Sequence, residues 1–275
     1  MMKKLAAIQM SSGPNIQANL DDASKLLAQA ASQGAELIVL PENFSQMPKD
    51  DEERVANAEI MGEGKVQEFL SAQAIKNNCW IVGGTLPIKS DEKGKAYSSS
   101  LLYNNKGVQI ARYDKIHLFD VIIEESNEIY NESLTTAAGD EIVVVDTPLG
   151  RLGLSVCYDL RFPELYRTMI DQGMEICAIP SAFTAVTGQS HWGTLIRARA
   201  IENQCYVVAS AQGGYHISNR QTYGHSMVVS PWGNVLGSVG TGPGVVITEM
   251  DRSVLETTRS KFQVLNHRKL NCRMI

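Results

Sequence analysis

The feature that most constrains the fold is a fully apolar segment, residues 37–40 (LIVL), that directly follows a helical pattern. An uninterrupted apolar run of this length is typical of a strand buried on both faces. Gly34 stands just before it, where a helix commonly ends. The apolar residues upstream recur at spacings of three and four, which describe one face of a helix, and they are Ile16, Leu20, Ala23, Leu27 and Ala30. The segment therefore predicts a helix packed on a buried strand.

The same alternation recurs along the chain. Helical spacing is found around residues 66–74, 163–173 and 191–204, with a short apolar strand after each, and a short helix follows Asp251. Turn residues such as the Asn-Asn-Lys-Gly of residues 104–107 indicate hairpins. The predicted strands besides residues 37–40 are 5–10, 80–82, 99–103, 109–113, 142–146, 152–156, 176–179, 205–209, 225–230, 235–239 and 245–250.

This pattern amounts to about twelve strands and five helices, with hairpins inserted among β-α-β units. Both halves of the chain show strand-helix-strand-helix and then antiparallel strands. We therefore expect an α/β fold, a four-layer α-β-β-α sandwich with two mixed sheets. We expect one domain over residues 1–275, because folds of this class and length often form a single unit.

Composition excludes several classes of protein. With 44% apolar residues the chain can bury a large core, and its net charge of −5 argues against a nucleic-acid binder. No apolar stretch approaches the ~18 residues of a membrane helix. The apolar run at residues 5–8 is also too short for a secretory signal, so we expect a cytoplasmic protein. The five cysteines include no C-x-x-C pair and the five histidines no H-E-x-x-H, so reduced thiols and no metal site are expected.

Three chemically reactive residues each follow a predicted strand. Glu42 follows LIVLP, Lys115 follows ARYD and Cys157 follows LGLSV. In α/β sheets, ligands bind outside the carboxyl ends of strands, so the three side chains can meet in one crevice.

A thiol, an ammonium and a carboxylate together suit acyl transfer. Cys157 as a thiolate would attack, Lys115 would stabilise the thiolate and the oxyanion, and Glu42 would move the protons. Cys157 precedes a predicted helix, so the backbone N–H of Tyr158 is a second candidate oxyanion donor. We also expect the site to lower the pKa of the Cys157 thiol and so to favour its alkylation.

Other interpretations stay open on the residues alone. A cysteine after an apolar strand is commonly a small core residue, and Glu42 and Lys115 can be ordinary surface charges. Cys157 can instead pair with His117, His191 or His225 in a Cys-His hydrolase. The chain can also be a catalytically silent scaffold or sensor that keeps the fold.

Six stretches in order resemble the carbon–nitrogen hydrolase (nitrilase) superfamily over nearly the whole chain. They are LIVLPENF, YDKIHLFD, GLSVCYDLRFPELYR, PSAFTAVTG, RARAIENQCYVVASAQ and YGHSMVVSPWG. The resemblance implies that Glu42 is the general base, Lys115 the catalytic lysine, Cys157 the nucleophile and Glu132 a second glutamate beside the lysine. It also implies the α-β-β-α sandwich, no cofactor, and a homodimer or larger homo-oligomer.

Within the superfamily, the Tyr-Asp pair after the nucleophile resembles the amidase branches. The later motifs are most similar to the branch that hydrolyses deaminated glutathione and less so to the ω-amidases that act on 2-oxoglutaramate. The substrates of both branches are small 2-oxo-acid amides, so Arg161 is the candidate for binding the substrate carboxylate. The chain departs from its relatives at Gly193, where they usually carry Glu near the expected pocket, and at Ser230, where many carry Asp.

Overall fold

The computed structural model describes residues 2–217 and 220–272, over which helices and strands alternate. The α-helices are α1 (Ile16–Ser32), α2 (Asp51–Ala56), α3 (Lys65–Asn77), α4 (Pro163–Asp171), α5 (Ala185–Thr187), α6 (Gly193–Asn203) and α7 (Arg252–Lys261). Strands of the first half are β1 (Lys3–Gln9), β2 (Leu37–Val39), β3 (Trp80–Val82), β4 (Leu86–Lys89), β5 (Ala96–Tyr103), β6 (Gln109–Asp114), β7 (Asp120–Ile123), β8 (Glu128–Asn131) and β9 (Thr136–Ala137). Those of the second half are β10 (Val144–Thr147), β11 (Gly150–Leu154), β12 (Ile176–Ser181), β13 (Tyr206–Ala211), β14 (Gly213–Tyr215), β15 (Gln221–Tyr223), β16 (Met227–Val229), β17 (Val235–Ser238) and β18 (Gly244–Met250).

Two mixed sheets form the centre of the molecule. The first has the order β18-β1-β2-β3-β5-β4, and β6 and β9 also pair with β5. The second has the order β10-β11-β12-β13-β16-β17. The central strands of both sheets are parallel, β1-β2-β3 in one and β11-β12-β13 in the other, with antiparallel strands on either side.

Side-chain alternation in β2 and the residue after it shows why this segment must be apolar throughout. Leu37 and Val39 belong to the core shared with the second sheet, whereas Ile38 and Leu40 belong to the core under α1 and α3. Successive side chains of a strand point to opposite faces, so both faces are buried here. All four side chains are fully buried. The helical residues of the outer core are Leu20, Ala23, Leu27, Ala30, Val66, Leu70 and Ala74.

Helices α4 and α6 cover the second sheet in the same way. Trp192, Ile196 and Ala200 recur every four residues, and all three are fully buried in the second core. The layers therefore run helix, sheet, sheet, helix, which confirms the predicted α-β-β-α sandwich. None of the helices in the described ranges is long and apolar enough to cross a membrane.

The predicted core elements are confirmed with small shifts at their ends, but the sequence underestimated the number of elements. Over residues 2–217 and 220–272 there are eighteen strands and seven α-helices. Short elements account for the difference, including α2, β4 and the hairpin of β7 and β8. This hairpin carries the exposed side chains Ile122 and Ile129 and forms a two-stranded sheet of its own. It lacks the apolar alternation of a strand with one face in the core.

Close approach of two loops at the end of the first sheet requires glycine at position 84. Gly84 has φ +54°, and a Cβ there would collide with the carbonyl oxygen of Pro41 and come within 3.1 Å of Phe44. Residues other than glycine rarely adopt this backbone conformation without strain. The glycine therefore lets the segment after β3 pack against the segment that precedes Glu42.

We predict that Gly84→Ala lowers the free energy of unfolding by about 1–3 kcal/mol, measured by chemical denaturation. Gly13→Ala is the matched control, because its Cβ meets nothing within 4 Å. Equal stability of the two variants would contradict the prediction.

Candidate active site

Strand direction brings the three predicted residues to one place. Strand β6 is antiparallel to β5, which is antiparallel to β3, and β3 is parallel to β2. Strands β2 and β6 therefore end at the same edge, with Glu42 shortly after one and Lys115 directly after the other. Cys157 follows β11 of the facing sheet, and its thiol lies close enough to the Glu42 carboxylate for that charge to affect the thiol pKa. All three line one cavity.

Lys115 lies between two carboxylates. Its Nζ is 3.0 Å from Oε1 of Glu42 and 2.8 Å from Oε2 of Glu132, and only 2% of Lys115 is exposed. The backbone N–H of Phe119 also donates to Glu132 at 2.7 Å. Burial alone would lower the pKa of Lys115, but the carboxylates of Glu132 and Glu42 outweigh it and raise that pKa. Lys115 is therefore a fixed positive charge at neutral pH.

The thiol of Cys157 is held protonated, contrary to the expectation from the sequence. Burial is the main cause that raises the pKa of Cys157 above its ordinary value, and the adjacent Glu42 carboxylate adds to it. Lys115 and a backbone hydrogen bond from Ala182 oppose these effects without overcoming them. The predicted lowering of the thiol pKa was wrong, because it took account of the cation but not of burial and the carboxylate. A reaction through the thiolate requires this proton to be removed.

The cavity around these groups has a volume of about 340 Å³ and a cationic lining. Among the described residues that line it, five side chains are cationic and three are carboxylates. The cations are Lys49, Arg54, Lys115, Arg161 and Arg220, and the carboxylates are Glu42, Asp50 and Glu132. Within residues 2–217 and 220–272, no group of three or more His, Cys, Asp or Glu side chains is arranged to hold a metal ion.

The two predicted substrate-binding residues both line this cavity. The Arg161 guanidinium lies 5.1 Å from the ring centre of Phe183 and contacts Nδ1 of His191 at 3.1 Å. Burial lowers the pKa of Arg161, as expected for a guanidinium partly removed from water. The Tyr158 ring packs edge-on against Phe119, with ring centres 5.0 Å apart.

The histidines considered as alternative bases contact other groups. His117 lies 2.7 Å from Asp159, His191 bonds to Arg161, and His225 lies 2.7 Å from the carbonyl oxygen of Tyr223. Glu42, in contrast, interacts with the Cys157 thiol, which favours Glu42 over the histidines as the candidate base.

Sequence reasoning missed two cavity arginines. Arg54 donates to the hydroxyls of Thr135 and Thr136, and Arg220 donates to the carbonyl oxygen of Ala182 at 2.8 Å. Arg54 lies on the short helix α2 and Arg220 just before β15, in stretches with no clear periodicity. Local charge gave no signal either, because Arg54 stands in the mainly acidic stretch KDDEER.

The two departures from the family pattern lie outside the cavity lining. Gly193 is not among the cavity residues, and a Cβ there would meet nothing within 4 Å. Gly193 therefore does not line the cavity itself, although His191, two residues before it, contacts the lining residue Arg161. The hydroxyl of Ser230 accepts a hydrogen bond from the backbone N–H of Asn234 and closes a turn.

Comparison with known proteins agrees with this geometry. Residues 4–260 match the carbon-nitrogen hydrolase family. The chain belongs to that family. A deaminated glutathione amidase from Synechocystis sp. (strain PCC 6803 / GT-S) is 43% identical over 266 residues, which cover 96% of this chain and 97% of that protein. The Homo sapiens protein of the same description is 40% identical over 268 residues, 96% of this chain and 82% of its own length.

Solved structures of the nitrilase superfamily share the fold. The NitFhit protein of C. elegans aligns with a TM-score of 0.91 at 39% identity, over 98% of this chain and 65% of that one. Saccharomyces cerevisiae Nit3, of branch 10 of the nitrilase superfamily, aligns with a TM-score of 0.87 at 33% identity, over 98% and 97% of the two chains. This carbon-nitrogen hydrolase is thus an amidase of the nitrilase superfamily.

The raised thiol pKa predicts how Cys157 reacts with iodoacetamide. The rate of alkylation should rise with pH through at least pH 9 without a plateau, because the thiolate forms only above the ordinary thiol range of about 8.5. The measurement is peptide mapping after timed alkylation at a series of pH values.

Only one other cysteine should compete for the reagent. Cys79, Cys177 and Cys205 are at most 1% exposed, whereas Cys272 is partly exposed, so a Cys272→Ser background isolates Cys157. An alkylation rate that levels off below pH 8 would show a lowered pKa and contradict the structure.

Proposed function

We propose that this amidase works through a Glu-Lys-Cys mechanism with a thioester acyl-enzyme. Glu42 takes the proton from Cys157 as Sγ attacks the amide carbon. The Lys115 ammonium and the backbone N–H of Tyr158 stabilise the oxyanion of the tetrahedral intermediate. Glu42 gives the proton to the leaving amine, then activates the water that hydrolyses the thioester.

The observation that carries this proposal is the placement of Lys115. Its ammonium touches the base Glu42 and is held from the other side by Glu132. The thiol of Cys157 interacts with the same Glu42 carboxylate and lines the same cavity, so the nucleophile and the base are neighbours before substrate arrives. Glu132 would act by keeping Lys115 charged and in position. A silent scaffold has no need for a buried ammonium and a buried carboxylate beside a thiol, since each costs free energy to desolvate.

We propose deaminated glutathione as the substrate, cleaved to 2-oxoglutarate and cysteinylglycine. It carries a carboxylate at each end, whereas the alternative substrate of an ω-amidase, 2-oxoglutaramate, carries one. The excess of cationic over anionic side chains in the cavity suits the substrate with two carboxylates. The contacts of Arg54, Arg161 and Arg220 given above are to hydroxyl, imidazole and carbonyl groups, which leaves their charges to be neutralised by substrate. The names of the relatives at 43% and 40% identity support the same choice.

We predict that Glu42→Gln and Cys157→Ala each lower kcat by at least about 10³-fold, because each removes a group that bonds to or transfers a proton in the reaction. The assay for kcat follows the release of cysteinylglycine from deaminated glutathione, a reaction that produces no ammonia. Glu164→Gln, an exposed glutamate on α4, is the control and should keep full activity. Full activity of Glu42→Gln together with its loss in a histidine variant would overturn the assignment.

For the substrate, we predict that kcat/KM for deaminated glutathione exceeds that for 2-oxoglutaramate by at least about tenfold, about 1.4 kcal/mol of transition-state binding. Parallel assays of the two amides with one enzyme preparation decide it. A preference for 2-oxoglutaramate, or no turnover of either amide, would refute the proposed substrate.

Arg161 is proposed to hold the carboxylate of the 2-oxo acid, which both amides share. Arg161→Lys should raise KM for both by about tenfold or more, because an ammonium cannot form the two parallel hydrogen bonds of a guanidinium. Arg197→Lys, an exposed change on α6 outside the cavity, is the matched control. An unchanged KM in Arg161→Lys would assign the arginine a structural role.

A further inference from the structure

A buried carboxylate that the reaction does not use lies two residues after the nucleophile. Asp159 is fully buried in the 3₁₀-helix Cys157–Arg161. It is not among the residues that line the cavity, so it does not touch substrate. A buried carboxylate is costly unless its oxygens are hydrogen-bonded, so its partners show what it holds together.

Four donor groups surround this carboxylate. Oδ2 of Asp159 accepts from the Tyr113 hydroxyl at 2.7 Å and from the backbone N–H of Val156 at 2.8 Å. Oδ1 accepts from the backbone N–H of His117 at 3.1 Å and lies 2.7 Å from Nδ1 of the same residue. Both oxygens are therefore occupied twice, which is close to the full capacity of a carboxylate.

These donors come from the two segments that carry the proposed reactive groups. Tyr113 and His117 stand two residues before and two residues after Lys115, in the first sheet and the loop that follows it. Val156 directly precedes Cys157, in the second sheet's loop. The carboxylate of Asp159 thus joins the lysine segment to the cysteine turn.

The cysteine turn needs such support. Cys157 has φ +47°, a left-handed backbone conformation that non-glycine residues keep only where surrounding contacts impose it. On the lysine side, His117 stacks on Phe162 with ring centres 3.7 Å apart, which adds a second contact between the same two segments. Burial and the Asp159 carboxylate raise the pKa of Tyr113, which remains a neutral phenol able to donate.

We propose that Asp159 is a positioning residue that sets the placement of the Lys115 ammonium relative to the Cys157 thiol. It acts through Tyr113, His117 and Val156 and contributes no contact to substrate. This inference rests on the proposed function, because it takes Lys115 and Cys157 as the reacting pair.

Asp159→Asn tests the link. The introduced NH₂ group replaces a carboxylate oxygen that accepts two hydrogen bonds, and it cannot accept from the donors that face it. Either the lysine segment or the cysteine turn therefore loses its attachment. We expect kcat for deaminated glutathione to fall about 10–100-fold while KM changes less than about threefold, because the reacting geometry is disturbed and the cavity lining is kept. We also expect the rate of Cys157 alkylation at pH 9 to fall, since Lys115, which lowers the pKa of the thiol, is displaced from it.

Tyr113→Phe is the milder variant and keeps the proposal testable if Asp159→Asn does not fold. It removes one donor from the lysine side and should lower kcat about 3–10-fold with the same fall in the alkylation rate. Tyr206→Phe is its matched control, a buried tyrosine whose hydroxyl bonds to the carbonyl oxygen of Asp251 at 2.9 Å, outside the cavity lining. It should lower Tm to a similar extent and leave kcat and the rate of Cys157 alkylation at pH 9 unchanged.

The proposal is overturned if Asp159→Asn and Tyr113→Phe behave like Tyr206→Phe, with a lower Tm but unchanged kcat and alkylation. Failure of the proposed function is a different result, namely that the wild type does not cleave deaminated glutathione or that Cys157→Ala keeps its activity. Alkylation of Cys157 needs no substrate, so its rate at pH 9 still decides the role of Asp159 in that case.

Discussion

The ion pairs of Lys115 with Glu42 and Glu132 are the constraint on which the rest of the site depends. An ammonium that is 2% exposed is stable only where carboxylates surround it, and removing the ammonium would leave two carboxylates without a cation. The same carboxylate of Glu42 raises the pKa of the Cys157 thiol. The resting site therefore holds a neutral thiol beside a carboxylate and a fixed cation.

The residues of this cluster come from two separate sheets of the sandwich, so the two sheets must be held in a fixed relative position. Buried polar side chains cross between them near the site. The hydroxyl of Ser210 donates to the carbonyl oxygen of Val39 at 2.7 Å, and the amide of Gln212 donates to the carbonyl oxygen of Glu42 at 3.0 Å. Asp159 makes the corresponding connection between the lysine and cysteine segments. Such satisfied polar networks fix one arrangement in a core where apolar packing alone tolerates small shifts.

The periodicity of apolar residues predicted the main helices and strands, because a helix such as α1 buries one stripe of side chains and a strand such as β2 buries both of its faces. The places of Glu42, Lys115 and Cys157 at strand ends were likewise readable, since parallel strands end at a common edge. The β7–β8 hairpin and the position of Arg220 in the cavity could not be predicted, because neither belongs to an amphipathic pattern. The thiol pKa was predicted in the wrong direction, since burial is set by the whole fold. The single domain and the homo-oligomer stay predictions.

The central claim is that Cys157 carries the acyl group during turnover. Acid quenching of the enzyme during steady-state cleavage of deaminated glutathione, followed by peptide mass spectrometry, tests it directly. A 2-oxoglutaryl adduct is expected on the peptide that contains Cys157 in the wild type, and no adduct is expected in Cys157→Ala. Turnover by the wild type with no acylated Cys157 peptide, or with the adduct on another residue, would contradict it.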